Sequence, residues 1–278
     1  MFLNFPPEIV FFSMLGVPAG IVILYLGLRW FRQKQLIENI PTSKIRSLAM
    51  GLAEIYGSVT RDGERLLQSP FSGDDCVYYR FTIEEFRRDN KGGVMPTVVI
   101  GENPGGFSGG AGGGSWYTIK HGEDRTHFFL KDATGQVLVD PAGAKIDLKP
   151  DYEFTSGMGG DPPQRVLSFL SGQGISHESF FGLNKQMRFR EYVIRLGDNL
   201  FILGTAGDNP FVEEGSAKAN AEDIMIRKGE NEKFYLISDS SERDLLSGLG
   251  WKSMAGIFGG IALVAVSMAV VFSSFGFF

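Results

Sequence analysis

The chain has 278 residues, 21% of them charged, and a formal net charge of -5. Its acidic and basic residues are mixed through the middle of the chain, which argues against an electrostatic nucleic-acid binder. One cysteine and three histidines exclude an intramolecular disulfide and paired-cysteine zinc sites.

Residues 1–8 form a short N-terminal end. From Ile9 to Leu28 there is no charged residue, and about 20 apolar residues suffice to cross a hydrocarbon layer of roughly 30 Å. A transmembrane helix is therefore expected over 9–31. A cleaved signal peptide would carry basic residues before its apolar run, whereas here Glu8 precedes it and Arg29, Arg32 and Lys34 follow.

Residues 32–253 are expected to form a β-rich soluble domain. Val77, Tyr79, Phe81 and Ile83 alternate with Tyr78, Arg80, Thr82 and Glu84, the period of a strand with one packed and one wet face. Residues 101–115 are so rich in glycine that they read as a flexible loop. Phe128 to Pro141 reads as a hairpin in which Gly135 supplies a left-handed turn residue. Arg190 to Gly204 repeats the plan around Gly197, Asp198 and Asn199, and Ile224 to Ile237 reads as a third hairpin. Such short connections imply a largely antiparallel sheet.

Helices are few. Pro162 and Pro163 precede Val166, Phe169 and Leu170 at helical spacing, which predicts one short helix. Asp239 and Glu242 are spaced as a capping box, and Leu245, Leu246 and Leu249 form a stripe expected to pack on the domain. Residues 254–278 carry no charge and are expected to form a second transmembrane helix. The fold class is thus an α+β membrane protein with a mainly antiparallel β domain between two transmembrane helices. Arg29, Arg32, Lys34, Lys44, Arg46 and Lys252 flank the inner ends of the spans, and the outer ends carry no Lys or Arg. This asymmetry predicts a cytoplasmic domain.

The chemical candidates are weak. Cys76 lies between aspartates, which disfavour a thiolate, at the start of a strand, where a small buried side chain fits. The glycine run contains no Lys or Arg and so cannot be a P-loop. His177-Glu178 opens like a zinc-protease motif, but Phe181 occupies the place of the second histidine. Asp132 heads a turn rather than an aspartic-protease loop, which needs a second carboxylate. His121 and His127 flank Glu123 and Asp124 and form the one metal-sensor arrangement to weigh. No catalytic, cofactor-binding or metal residue is assigned, and no cofactor is expected.

Several stretches resemble one family: Pro41 to Val59, Ser69 to Asp89, Phe128 to Asp147, Gly197 to Ala206 and "FYLISDSSERDLL" before the last span. In this order they resemble the GIDE-type, or beside-a-membrane, domain. Members of that family include mitochondrial ubiquitin ligases, where the domain sits between two transmembrane helices and a zinc RING follows. The resemblance implies a domain held at the membrane. The residues up to Phe278 include no RING cysteines, so the expectation is a prokaryotic relative that does not itself transfer ubiquitin. It acts as a binding or scaffold protein, or alternatively as part of a ubiquitin-ligase-like system whose RING is supplied elsewhere. The partners expected are the lipid bilayer and an unidentified protein or a second copy of the chain, with no nucleic acid.

Overall fold

The computed structural model describes residues 6–40, 42–61, 63, 66–88, 114–157, 160–177, 185–211, 223–230 and 234–274. In chain order these form α1 (Pro7–Glu38), a 3-10 turn (Ile45–Ser47), β1 (Gly51–Thr60), β2 (Leu67–Gln68), β3 (Asp75–Cys76), β4 (Tyr78–Arg88) and β5 (Gly114–Arg125). There follow β6 (Phe128–Lys131), β7 (Gln136–Val139), β8 (Lys145–Asp147), β9 (Tyr152–Ser156) and α2 (Gln164–Gly172). The last described elements are β10 (Met187–Ile194), β11 (Asn199–Asp208), β12 (Ile224–Arg227), β13 (Leu236–Ser238) and α3 (Glu242–Ser274).

The β domain has two lobes. In the first, β1 pairs with β6, β6 with β7, β7 with β12, β12 with β11, and β11 returns to β1, so the pairing closes on itself. Closure removes exposed edges. Its interior is filled by alternate residues, among them Ile55, Val59, Leu130, Val137, Ile202 and Ile226. The second lobe is a sheet in the order β5-β4-β10-β9, with α2 over one face. Phe81 and Ile83 from β4 and Met187 and Phe189 from β10 meet Val166 and Leu170 of α2 there. Phe71 enters this core edge-on to Phe81, Phe169 and Phe189.

The first lobe continues through β13 and β8 beside β11, and here the third expected hairpin fails. β12 and β13 do not pair with each other; both lie along β11, at Thr205–Asp208 and Phe201–Leu203 respectively. Each then takes a parallel partner, β7 for β12 and β8 for β13. The remaining strand pairings are antiparallel, as expected.

Other local expectations are refined. The β6–β7 turn does not use a left-handed Gly135: the Asp132 carboxylate accepts hydrogen bonds from Thr134 N, Thr134 Oγ1 and Gly135 N and closes the turn itself. Gly197, by contrast, does adopt φ +89° at the β10–β11 turn. Tyr78 is not on a wet face, because β4 begins inside the first lobe's core and only then passes to the second. β5 starts at Gly114, inside the segment read as a glycine-rich loop, whose residues 101–113 lie outside those described. Ser241 rather than Asp239 meets the start of α3: its hydroxyl accepts from Asp244 N, while Asp239 accepts from Lys149 N.

α1 and α3 are both long and apolar enough to cross a membrane. They pack antiparallel along glycines, with Gly16 near Ser267, Gly20 near Gly260 and Gly27 against Gly256. A Cβ built at Gly27 would lie 2.6 Å from Ile257 N, and one at Gly260 would lie 2.7 Å from Leu24 N. Such backbone contact replaces the hydrophobic drive that is absent between helices in lipid. Replacing Gly27 with Leu should therefore separate the helices and lower the melting temperature of the full chain in detergent, with a cost of about 1–3 kcal/mol. Gly259→Leu, where a side chain meets open space, should leave that temperature unchanged.

Candidate functional site

The residues singled out from the sequence do not converge. Cys76 is fully buried, and its thiol faces Leu67 O at 3.7 Å. Burial pushes its pKa up to about 12, with the Glu191 charge adding to the effect. It is a packed side chain and not a nucleophile. His121 is exposed on β5, opposite Thr82. His127 lies beyond the end of that strand, 3.9 Å from Asp140 and edge-on to Phe211. Among the described residues no group of three or more His, Cys, Asp or Glu could hold a metal ion. His177 is described, but the Glu178 and Phe181 of its motif lie outside the described residues.

Sequence reasoning missed the charged groups that tie distant loops together. Glu191, on β10, is fully buried, and its carboxylate accepts hydrogen bonds from Phe71 N at 2.6 Å, Ser72 N at 2.9 Å and Ser72 Oγ at 2.6 Å. These bonds fix the loop that inserts Phe71 into the second core. Arg165 of α2 holds the same loop from outside by donating to Pro70 O and Ser69 O. Arg195, just after β10, donates to Asp74 from Nε and Nη2 and to Asp151 from Nη1, while Asp198 accepts its backbone N–H. Burial works against the Arg195 charge, but the bonds to Asp151 and Asp74 outweigh it and raise its pKa. The hydrogen bond from Arg195 in turn holds Asp74 below the usual carboxylate value. An alternating strand pattern signals burial but not which buried charge finds which loop.

A groove of about 500 Å³ opens beside this cluster, lined by Tyr56, Asp151, Asp198, Asp239 and Asp244 among others. Its carboxylates are already engaged. Asp151 and Asp198 serve Arg195, Asp239 accepts from Lys149 N, and Asp244 accepts from the Ser241 hydroxyl. They hold the fold rather than offering a ready ligand shell.

The arrangement with functional consequence is the junction between helices and domain. On β11, Leu200 and Ile202 face the closed lobe's interior, and Phe201 and Leu203 face outward. Those outward residues, with Leu236 of β13, form a further core with Ile37 near the end of α1. Leu36, Ile40 and the predicted stripe of Leu245, Leu246 and Leu249 pack around it. Both helices thus run without interruption from their apolar segments into the β domain. The apolar segments themselves are not covered by protein: Phe12 is 70% and Phe258 66% exposed. A surface so apolar on a soluble protein would be exceptional.

The GIDE family, described as E3 ubiquitin ligase, matches residues 111–272, from the start of β5 through most of α3. The chain belongs to the GIDE family. No curated protein and no solved structure matches it. The GIDE match takes in the outward face of β11, β13 and the α3 leucines, so most of the helix–domain junction lies inside the family's segment. That segment contains no cysteine.

Two outcomes test these assignments. Cys76 should resist alkylation by a thiol reagent in the folded protein at neutral pH and react fully after denaturation, as followed by intact-mass spectrometry. Asp74, with its pKa lowered on folding, contributes stability that is present above the usual carboxylate value and lost as pH falls through its folded value. Wild type should therefore melt above Asp74→Asn at neutral pH, and the gap should close in acid below about pH 4, measured by thermal denaturation.

Proposed function

We propose that this GIDE chain is a membrane-anchored, non-catalytic scaffold that presents its two-lobed β domain on the cytoplasmic face of the cell membrane to a protein partner. The observation that carries the reading is the shared core of Ile37, Phe201, Leu203 and Leu236 with the α3 leucines. A flexible tether would let a domain wander; this core fixes it. From Ile9 to Leu28, α1 covers about 30 Å at 1.5 Å per residue, the thickness of a hydrocarbon layer. The rest of α1 and the first turns of α3 then extend only about 15 Å beyond it. The domain is consequently held close to the headgroups at a set height. The basic residues at the inner ends of both helices favour the cytoplasmic orientation. For partner recognition, the exposed strand connections of so rigid a support are the natural surface.

The family's description as E3 ubiquitin ligase favours a second reading, in which the scaffold's partner is a separate RING subunit. The two readings diverge in a reconstituted reaction. Under the second, ubiquitin transfer appears only when the RING subunit and zinc are added; autoubiquitination by the isolated chain would overturn both.

The decisive experiment uses the full chain in cells. Protease added outside spheroplasts should leave the β domain intact and digest it after lysis, and in-cell crosslinking should yield one or two recurrent partners. Digestion from outside would place the domain on the other face. Loss of those crosslinks in a Phe201→Ala, Leu249→Ala variant that remains membrane-bound would show that the fixed height matters; truncating such side chains removes about 2–5 kcal/mol each when well buried.

A further inference from the structure

The contacts between the helices place their flanking residues at one level. Gly27 opposes Gly256 and Lys34 opposes Gly250, so Arg29, Trp30 and Arg32 lie at the same level along the helix axes as Trp251 and Lys252. Arg29, Arg32 and Lys252 are exposed, and Trp251 is 76% exposed. Arg29 and Arg32, three residues apart, share the side of α1 turned away from the Gly16, Gly20 and Gly27 seam. None of these three cations forms an ion pair among the described residues, whereas Lys34 is 3.7 Å from Glu38. Several cations on and just after β10 are paired by contrast: Arg188 bonds Glu84, Arg190 lies against Glu84 and Glu153, and Arg195 is held by two aspartates.

The level also matters. From Ile9 to Leu28 α1 carries no charged residue, and Leu36 and Ile37, which enter the domain core, follow Arg29 by about two turns. The unpaired cations therefore occupy a narrow ring between hydrocarbon and protein, where the phosphate layer of a bilayer lies. Tryptophans belong in the same layer, with an apolar ring and a polar N–H.

We infer that Arg29, Arg32 and Lys252, flanked by Trp30 and Trp251, form a collar that binds the phosphate headgroups of anionic phospholipids. This rests on insertion of the two helices and goes beyond it, because insertion alone requires no preference among lipids. The collar selects lipid by charge at the headgroup, and it does so immediately above the β domain, so the leaflet around the domain becomes enriched in anionic lipid.

The two collar tryptophans report directly, while Trp116 sits on β5 in the domain. The full chain is reconstituted in phosphatidylcholine vesicles containing a minor share of brominated phosphatidylglycerol or of brominated phosphatidylcholine, and tryptophan quenching gives the relative affinity. Wild type should prefer the anionic lipid by roughly fivefold for each basic residue engaged. The preference should fall towards one in the Arg29→Gln, Arg32→Gln, Lys252→Gln variant and persist in Arg29→Lys, Arg32→Lys. Equal quenching by the two lipids in wild type, or an undiminished preference in the glutamine variant, would overturn the collar. Loss of the preference on adding inorganic phosphate at constant ionic strength would show a free-anion site and overturn the lipid assignment. Absence of quenching by either lipid would instead overturn insertion itself.

Discussion

The structure depends on one constraint: the outward face of β11 must be buried, and among the described residues much of the apolar surface that covers it is supplied by the inner ends of α1 and α3. Phe201 and Leu203 are as deeply buried as Leu200 and Ile202 on the opposite face of the same strand. An antiparallel sheet with one wet face would alternate polar and apolar residues here. β11 instead reads as a continuous run, "LFIL", because closed lobe lies on one side and helix pair on the other. Removing the helices would expose that second face, so anchor and domain are parts of a single folding unit.

The loops around β10 are held by a different kind of interaction. There a set of charged side chains makes hydrogen bonds that span loops distant in sequence, with Arg195 reaching Asp74 and Asp151, and Glu191 reaching the loop at Phe71. Fully satisfied buried charges contribute little net stability over apolar substitutes, yet losing one partner is costly. Their value here is positional: they fix where Phe71 enters the second core.

Features with a local cause were legible in the sequence. The uncharged spans, the β4 alternation at Phe81 and Ile83, the Gly197 turn, the helix after Pro163 and the leucine stripe all follow from spacing and backbone preference. The order of strands was not, because β12 and β13 look like neighbours across a short connection and yet both seek β11. Tyr78 was misplaced for a related reason: a strand that crosses from one core to another buries both faces at the crossing. The glycines of the helix seam read as ordinary transmembrane composition until Gly27 is seen against Gly256. The buried role of Glu191 had no sequence signal at all, since two of its donors are backbone N–H groups and the third is the Ser72 hydroxyl, far away in sequence.

The antiparallel pairing of α1 and α3 has a further consequence for the ends of the chain. With both helices in a bilayer, Pro6 and Ser274 emerge together on the surface opposite the β domain. A change at that surface would then reach the β domain through the shared packing of the two helices.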